Sequence, residues 1–166
     1  AIDEIAHARS LGIDFIVCDH HTPGEGLPNA IILDPKRRDC NYPFDELSGC
    51  GVGFKLLQGL CDHNGWSYDK LFELLDFLAI SIGADIVPMT GENRVLSYHG
   101  MRSLNENPRV AFKELLALAK KQLPVTLTDV IFSIAPRINA AGRLRSGRYA
   151  VELMISEHTE EINVLA

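Results

Sequence analysis

A chain of 166 residues with 46% hydrophobic content can bury the core of one ordinary domain, and no run of about 18 apolar residues exists to span a bilayer. The formal net charge of -6 excludes a protein that coats nucleic acid by bulk electrostatics, though it leaves room for a local basic groove. Cys18, Cys40, Cys50 and Cys61 form no CxxC pair and no signal peptide opens the chain, which argues against a zinc site of the usual spacing and for a cytoplasmic protein with reduced thiols.

Residues 2 to 11 have the apolar spacing of an amphipathic helix, and Gly12 stops it. Ile13 to Cys18 follows as a strand, and its run Phe15, Ile16, Val17 and Cys18 predicts burial within an α/β sheet. At Asp19 the pattern changes to Asp19, His20, His21 and Thr22, then to the breakers Pro23 and Gly24. The carboxyl edge of an open α/β sheet is where ligands bind, so this placement marks a candidate site. A single Asp or His there would serve as a turn former. Two imidazoles after a carboxylate can also hold a divalent metal, with the carboxylate as a further ligand or as the group that orients a ring.

A loop rich in Gly and Pro, Thr22 to Pro28, leads to a second predicted strand, Ala30 to Leu33, ended by Asp34 and Pro35. Helix, strand, loop, strand is the start of an alternating α/β pattern with a parallel sheet flanked by helices. Pro35 to Asp45 lacks an apolar period and predicts an exposed loop. In LSGCGVGFKLLQGL, Gly49, Gly51 and Gly53 precede a helical pattern. Such glycines permit either close helix packing or the approach of a phosphate to backbone amides, and the string is neither a Walker A loop nor a dinucleotide fingerprint.

Tyr68 to Ile82 is apolar on nearly every face, which predicts a helix buried on several sides. Asp85, between Ala84 and Ile86, then reads as a buried carboxylate that is paired, metal-bound or the N-cap of a following helix. Arg94 to Leu104 and Arg109 to Gln122 read as structural helices broken at Asn105 to Pro108. Thr128 to Ala135 predicts another, capped by Thr126 or Thr128. Between Arg137 and Arg148 lie four arginines, Arg137, Arg143, Arg145 and Arg148, and no acidic residue, a stretch suited either to a solvated helix end or to bidentate phosphate contact. Ser146 to Ile155 and Glu160 to Leu165 close the chain as helices.

Together these residues suit metal-assisted phosphoester hydrolysis, with Asp19, His20 and Asp85 as the plausible cation ligands, fewer carboxylates than a two-metal site needs, and with Arg and a second His on phosphate. CDHHTPG at 18 to 24 resembles the motif that names the DHH phosphoesterase family. LSGCGVGFKLLQGL at 47 to 60, IGADIVPMTGENRVLSYHGMRSLN at 82 to 105 and PRINAAGRL at 136 to 144 are similar to segments of its single-strand-specific exonucleases. The resemblance implies hydrolysis of phosphodiester bonds from the 5′ end of single-stranded DNA, in repair and recombination, with Mn²⁺ or Mg²⁺ and two ions in the complete enzyme. It implies His20 and Asp85 as metal ligands, His21 on the scissile phosphate, and Asp19 in a supporting role. Arg143, with Asn139 and Arg137, would hold substrate phosphate. Replication or repair proteins are implied as further partners.

The family also carries aspartate motifs of the DxD type ahead of its DHH string and a second domain after a linking helix, and neither is found in this sequence. The chain therefore reads as the later part of a DHH domain over residues 1–125, followed over 126–166 by the start of an interdomain linker, and as inactive alone. Two alternatives remain: a phosphatase of the same family acting on oligonucleotides or nucleotide bisphosphates, and a non-catalytic nucleic-acid-binding DHH module.

Overall fold

The computed structural model describes residues 2–144, 146–160 and 162, and of residues 141–144 the backbone alone. Helix α1 (Ile2–Ser10) buries Ile5 and Ala8, and Gly12, at a φ of 75°, turns the chain toward the first strand. Strands β1 (Ile16–Cys18) and β2 (Ile31–Leu33) pair in parallel, with Ile16 opposite Ile31 and Cys18 opposite Leu33. The Asp19 amide extends the ladder by one step, donating to the Leu33 carbonyl at 3.0 Å. The end of the strand is thus fixed where the polar residues begin.

The expectation of a buried strand is corrected here. Phe15 is 42% exposed and Ile16 55%, and Cys18 is exposed as well. Apolar β-branched residues favour an extended chain, but burial requires a layer on each face. Among the described residues the sheet has two strands, and α2 (Gly49–Asn64) is the helix that packs on β1.

Ser48 caps α2 by accepting the Gly51 amide with its hydroxyl. The helix predicted over Tyr68 to Ile82 is divided into α3 (Asp69–Phe72) and α4 (Leu75–Asp85). Helix α4 is the centre of the packing: Leu78, Ala79, Ile80 and Ile82 are all buried, and α2 and α5 (Gly91–Glu106) both lie against it. Helix α5 returns antiparallel along α4. At Gly100 the two backbones approach so closely that a Cβ would sit 2.1 Å from the Leu75 carbonyl oxygen.

The remaining helices are α6 (Val110–Leu118), α7 (Leu127–Asp129), α8 (Ala135–Leu144) and α9 (Gly147–Ile155), with a π turn over Val130–Ile134 between α7 and α8. Thr126, not Thr128, is the cap of α7, and Asp129 completes a capping box with it. Leu104, Phe112, Leu115, Val130, Ile134 and Leu153 form the main core. Pro35 departs from the expected exposed loop: it is buried, beside Asp34 at 5% exposure, whose carboxylate accepts the Lys36 amide. Arg109 is more than a helix start. Its guanidinium pairs with the buried Asp76 at 2.7 Å and lies 4.4 Å over the Phe77 ring. The helix expected over Glu160 to Leu165 lies largely outside the described residues. No described helix is long and apolar enough to cross a membrane.

Candidate metal centre

The β1 ladder ends at Asp19, and the Asp19 side chain then organises the next two residues. Its Oδ1 accepts the His20 amide at 2.7 Å, the His21 amide at 3.2 Å and the His21 ring Nδ1 at 2.7 Å. That ring contact assigns the His21 proton to Nδ1 and turns Nε2 outward as the lone-pair side. Burial raises the Asp19 carboxyl, but hydrogen bonds from the His21 ring and from the His21 and His20 amides outweigh it and hold the group below its ordinary value. Asp19 therefore stays an anion at neutral pH.

The two imidazoles face different surroundings. His21 is 77% exposed, whereas His20 folds inward, at 18%, over the start of α2. Space for it exists because residue 49 has no side chain: a Cβ on Gly49 would lie 3.1 Å from His20 Nδ1. Gly49 therefore serves close packing, and what packs there is the candidate ligand itself, whereas a Cβ on Gly53 would meet nothing within 4 Å.

His20 Nε2 lies 3.5 Å from Asp85 Oδ2, so residues 65 positions apart in sequence converge. Asp85 arrives from the far end of α4. It is neither a helix N-cap nor a buried group: it is the last residue of α4, followed by Ile86 in the left-handed region at a φ of 53°, and its side chain is 32% exposed. Flanking apolar residues suggest burial because sequence does not show where a helix meets solvent. The buried carboxylates, among the described residues, are Asp34 and Asp76.

One residue at this centre, Ser81, is not among the sequence candidates. Ser81 Oγ lies 3.3 Å from Asp85 Oδ2, and the Gly49 amide donates to the same oxygen at 3.3 Å. The spacing of Ser81 and Asp85, four apart on one helix face, is the available clue. Cys50, beside Gly49, keeps an exposed surface, yet crowding around its thiol and then the Asp85 and Asp76 carboxylates push it up to about 11. It remains a thiol at neutral pH.

Of the expected phosphate contacts, the structure describes the side chains of Arg137 and Asn139. Arg137, on α8, donates to the Ser133 carbonyl at 2.6 Å, and Asn139 is exposed on the same helix. Among the described residues, neither forms a hydrogen bond or ion pair with Asp19, His20, His21 or Asp85. The side chain of Arg143 and the whole of Arg145 lie outside the described residues.

The donor set fits a divalent cation. Asp19, His20 and His21 each offer a ligand atom, all within 4.8 Å of one another, and Asp85 adjoins His20. Imidazole nitrogen with carboxylate oxygen suits first-row divalent metals. Each carboxylate, moreover, has one oxygen engaged by donors while, among the described residues, its other oxygen receives none.

An α/β protein with a His and carboxylate cluster at the carboxyl end of a parallel strand is the class that fold and site define. The chain belongs to the DHH family, whose N-terminal domain is matched by residues 1–82. It is 40% identical over 174 residues to the single-stranded-DNA-specific exonuclease RecJ of Escherichia coli (strain K12), covering 98% of this chain and 30% of that protein. RecJ of Bacillus subtilis (strain 168) is 40% identical over 168 residues, covering all of this chain and 21% of that protein. A crystal structure of exonuclease RecJ bound to manganese superposes with a TM-score of 0.81 at 31% identity, over 99% of this chain and 42% of that one. RecJ of Thermus thermophilus in complex with Mn²⁺ gives 0.80 at 31% identity, over 99% of this chain and 25% of that one. The chain thus spans less than a third of the curated relatives named here.

Proposed function

We propose that this chain acts as part of a metal-dependent exonuclease that hydrolyses phosphodiester bonds of single-stranded DNA from the 5′ end, in cytoplasmic DNA repair and recombination. The observation that carries the reading is the 3.5 Å approach of His20 Nε2 to Asp85 Oδ2, which brings two ligand types to one point from distant parts of the sequence. The names of the similar proteins supply the substrate class. Residues 1–125 serve as the later part of the DHH domain, and 126–166 as the beginning of a link to further structure.

In this reading His20 and Asp85 hold Mn²⁺, the ion bound in both similar structures, or Mg²⁺. A divalent cation at such a place polarises a phosphoryl oxygen and lowers the pKa of bound water. The chain's own residues do the rest. Asp19 fixes the His21 ring so that Nε2 faces the scissile phosphate, and its negative charge stabilises the ring when that ring carries a proton. His20, held over Gly49, keeps a single orientation. Arg143, with Asn139 and Arg137, bears on substrate phosphate farther along the strand, where guanidinium geometry suits a phosphate group.

A two-metal centre needs several carboxylates to bridge its ions, and Asp19 and Asp85 alone do not meet that need. The isolated chain accordingly binds one Mn²⁺ weakly and does not digest DNA. Calorimetric titration with Mn²⁺ tests the first half, with wild type binding and His20→Ala not binding. In a full-length protein carrying this sequence, a long 5′-phosphorylated single strand should be degraded in preference to dinucleotides. Preference for dinucleotides would select the phosphatase reading, and absence of metal-dependent cleavage the non-catalytic one.

A further inference from the structure

Asp85 occupies an awkward position for a metal-binding carboxylate. It is the final residue of α4, where the helix dipole places partial negative charge and disfavours an anion. Two donors gathered on one oxygen hold it: Asp85 Oδ2 accepts from Ser81 Oγ at 3.3 Å and from the Gly49 amide at 3.3 Å, with His20 Nε2 3.5 Å away. Ser81 Oγ is in turn 3.3 Å from the Cys50 amide, for which it is the acceptor. One hydroxyl therefore joins the last turn of α4 to the first turn of α2, the helix with the opposite and favourable dipole end.

We propose that Ser81 is a positioning residue for the metal centre: it donates to Asp85 Oδ2, accepts from the Cys50 amide, and so holds Asp85 with its other oxygen, Oδ1, turned free for a divalent cation. The inference rests on the reading of His20 and Asp85 as cation ligands. Ser81 touches neither cation nor substrate, and it acts through Asp85. The bonds are long for their types, so each is weak alone. Their value lies in orientation, since a carboxylate on a freely rotating χ1 at a helix end must lose that freedom when it binds an ion. Groups hydrogen-bonded to metal ligands commonly change metal affinity by tenfold or more when removed.

The test is Mn²⁺ affinity, measured by calorimetry on this chain for wild type, Ser81→Ala, Ser81→Thr and His20→Ala, with thermal unfolding of each. Ala is the better helix former, and water can reach the exposed Cys50 amide, so Ser81→Ala keeps the fold. The expected result is a loss of affinity of about tenfold in Ser81→Ala at unchanged unfolding temperature, with Ser81→Thr, which retains the hydroxyl, close to wild type. Equal affinity of wild type and Ser81→Ala would overturn the proposal while leaving the ligand reading intact. So would equal losses in the Ala and Thr variants, because the hydroxyl would then not be the operative group. Wild type failing to bind, or His20→Ala binding as wild type does, would overturn the ligand reading and the proposal with it.

Discussion

His20 and Asp85 meet with Nε2 and Oδ2 3.5 Å apart, one residue delivered by the end of a strand and the other by the end of a helix. Replacing either by Ala removes a proposed ligand without opening a hole in the core, since both side chains retain solvent contact. In a full-length enzyme each substitution should lower the rate by several orders of magnitude, because the cation supplies both polarisation and the activated water. Unfolding temperatures should move by only a few degrees. Near-normal turnover of either variant in a metal-titrated assay removes that residue from the site.

Gly49→Ala separates stability from function. A methyl group there would stand 3.1 Å from His20 Nδ1, tighter than ordinary contact, so the imidazole must shift by a few tenths of an ångström. Ala at the first position of α2 is intrinsically a better helix residue than Gly, by up to about 1 kcal/mol. The variant should therefore unfold at the same temperature as wild type or higher, while its Mn²⁺ affinity falls. Unchanged affinity in calorimetry would show that the His20 ring is not constrained by α2.

The candidate site is legible in the sequence as a chemical discontinuity, an apolar strand breaking at Asp19, His20 and His21, beside which the structure places Asp85. The α/β class follows from the order of helix and strand. Burial does not follow, and it departs from expectation in opposite directions for different residues. Phe15 and Ile16 have the character of core residues and are exposed, while Asp76 has that of a surface residue and is 2% exposed, held by Arg109 from 33 positions away. Apolarity records what a residue prefers, whereas burial depends on which elements arrive to cover it. Ser81 is invisible for a related reason, since a hydroxyl on an apolar helix has no meaning until its neighbour Asp85 and the start of α2 are in place.

Gly100 tests the packing that carries Asp85 to the site. Helices α4 and α5 touch there through backbone, and a Cβ would fall 2.1 Å from Leu75 O and 2.8 Å from Ala79 Cβ. Neither atom belongs to a flexible side chain, so the helices must separate. Gly100→Ala should cost about 3 kcal/mol or more, the upper range for overpacking, against the small gain in helix propensity. Chemical denaturation of the variant with an unchanged midpoint would contradict the close approach.

The capping box at Thr126 gives stability a definite dependence on pH. Asp129 is held well below the usual carboxylate range, first by Lys121, whose ammonium lies 2.7 Å from Oδ1, and then by the Thr126 hydroxyl and amide. A carboxyl whose value is lower in the folded state binds protons more readily when unfolded. Its stabilisation is therefore complete above the ordinary carboxylate value and is lost as pH falls from there toward the folded one. Asp129→Asn keeps an acceptor for the Thr126 amide but removes the charge that attracts Lys121. The variant should be less stable than wild type at neutral pH, and the two unfolding curves should converge as the solution is acidified below about pH 4. Parallel curves down to the acid transition would mean that Asp129 does not hold its low value in the folded chain.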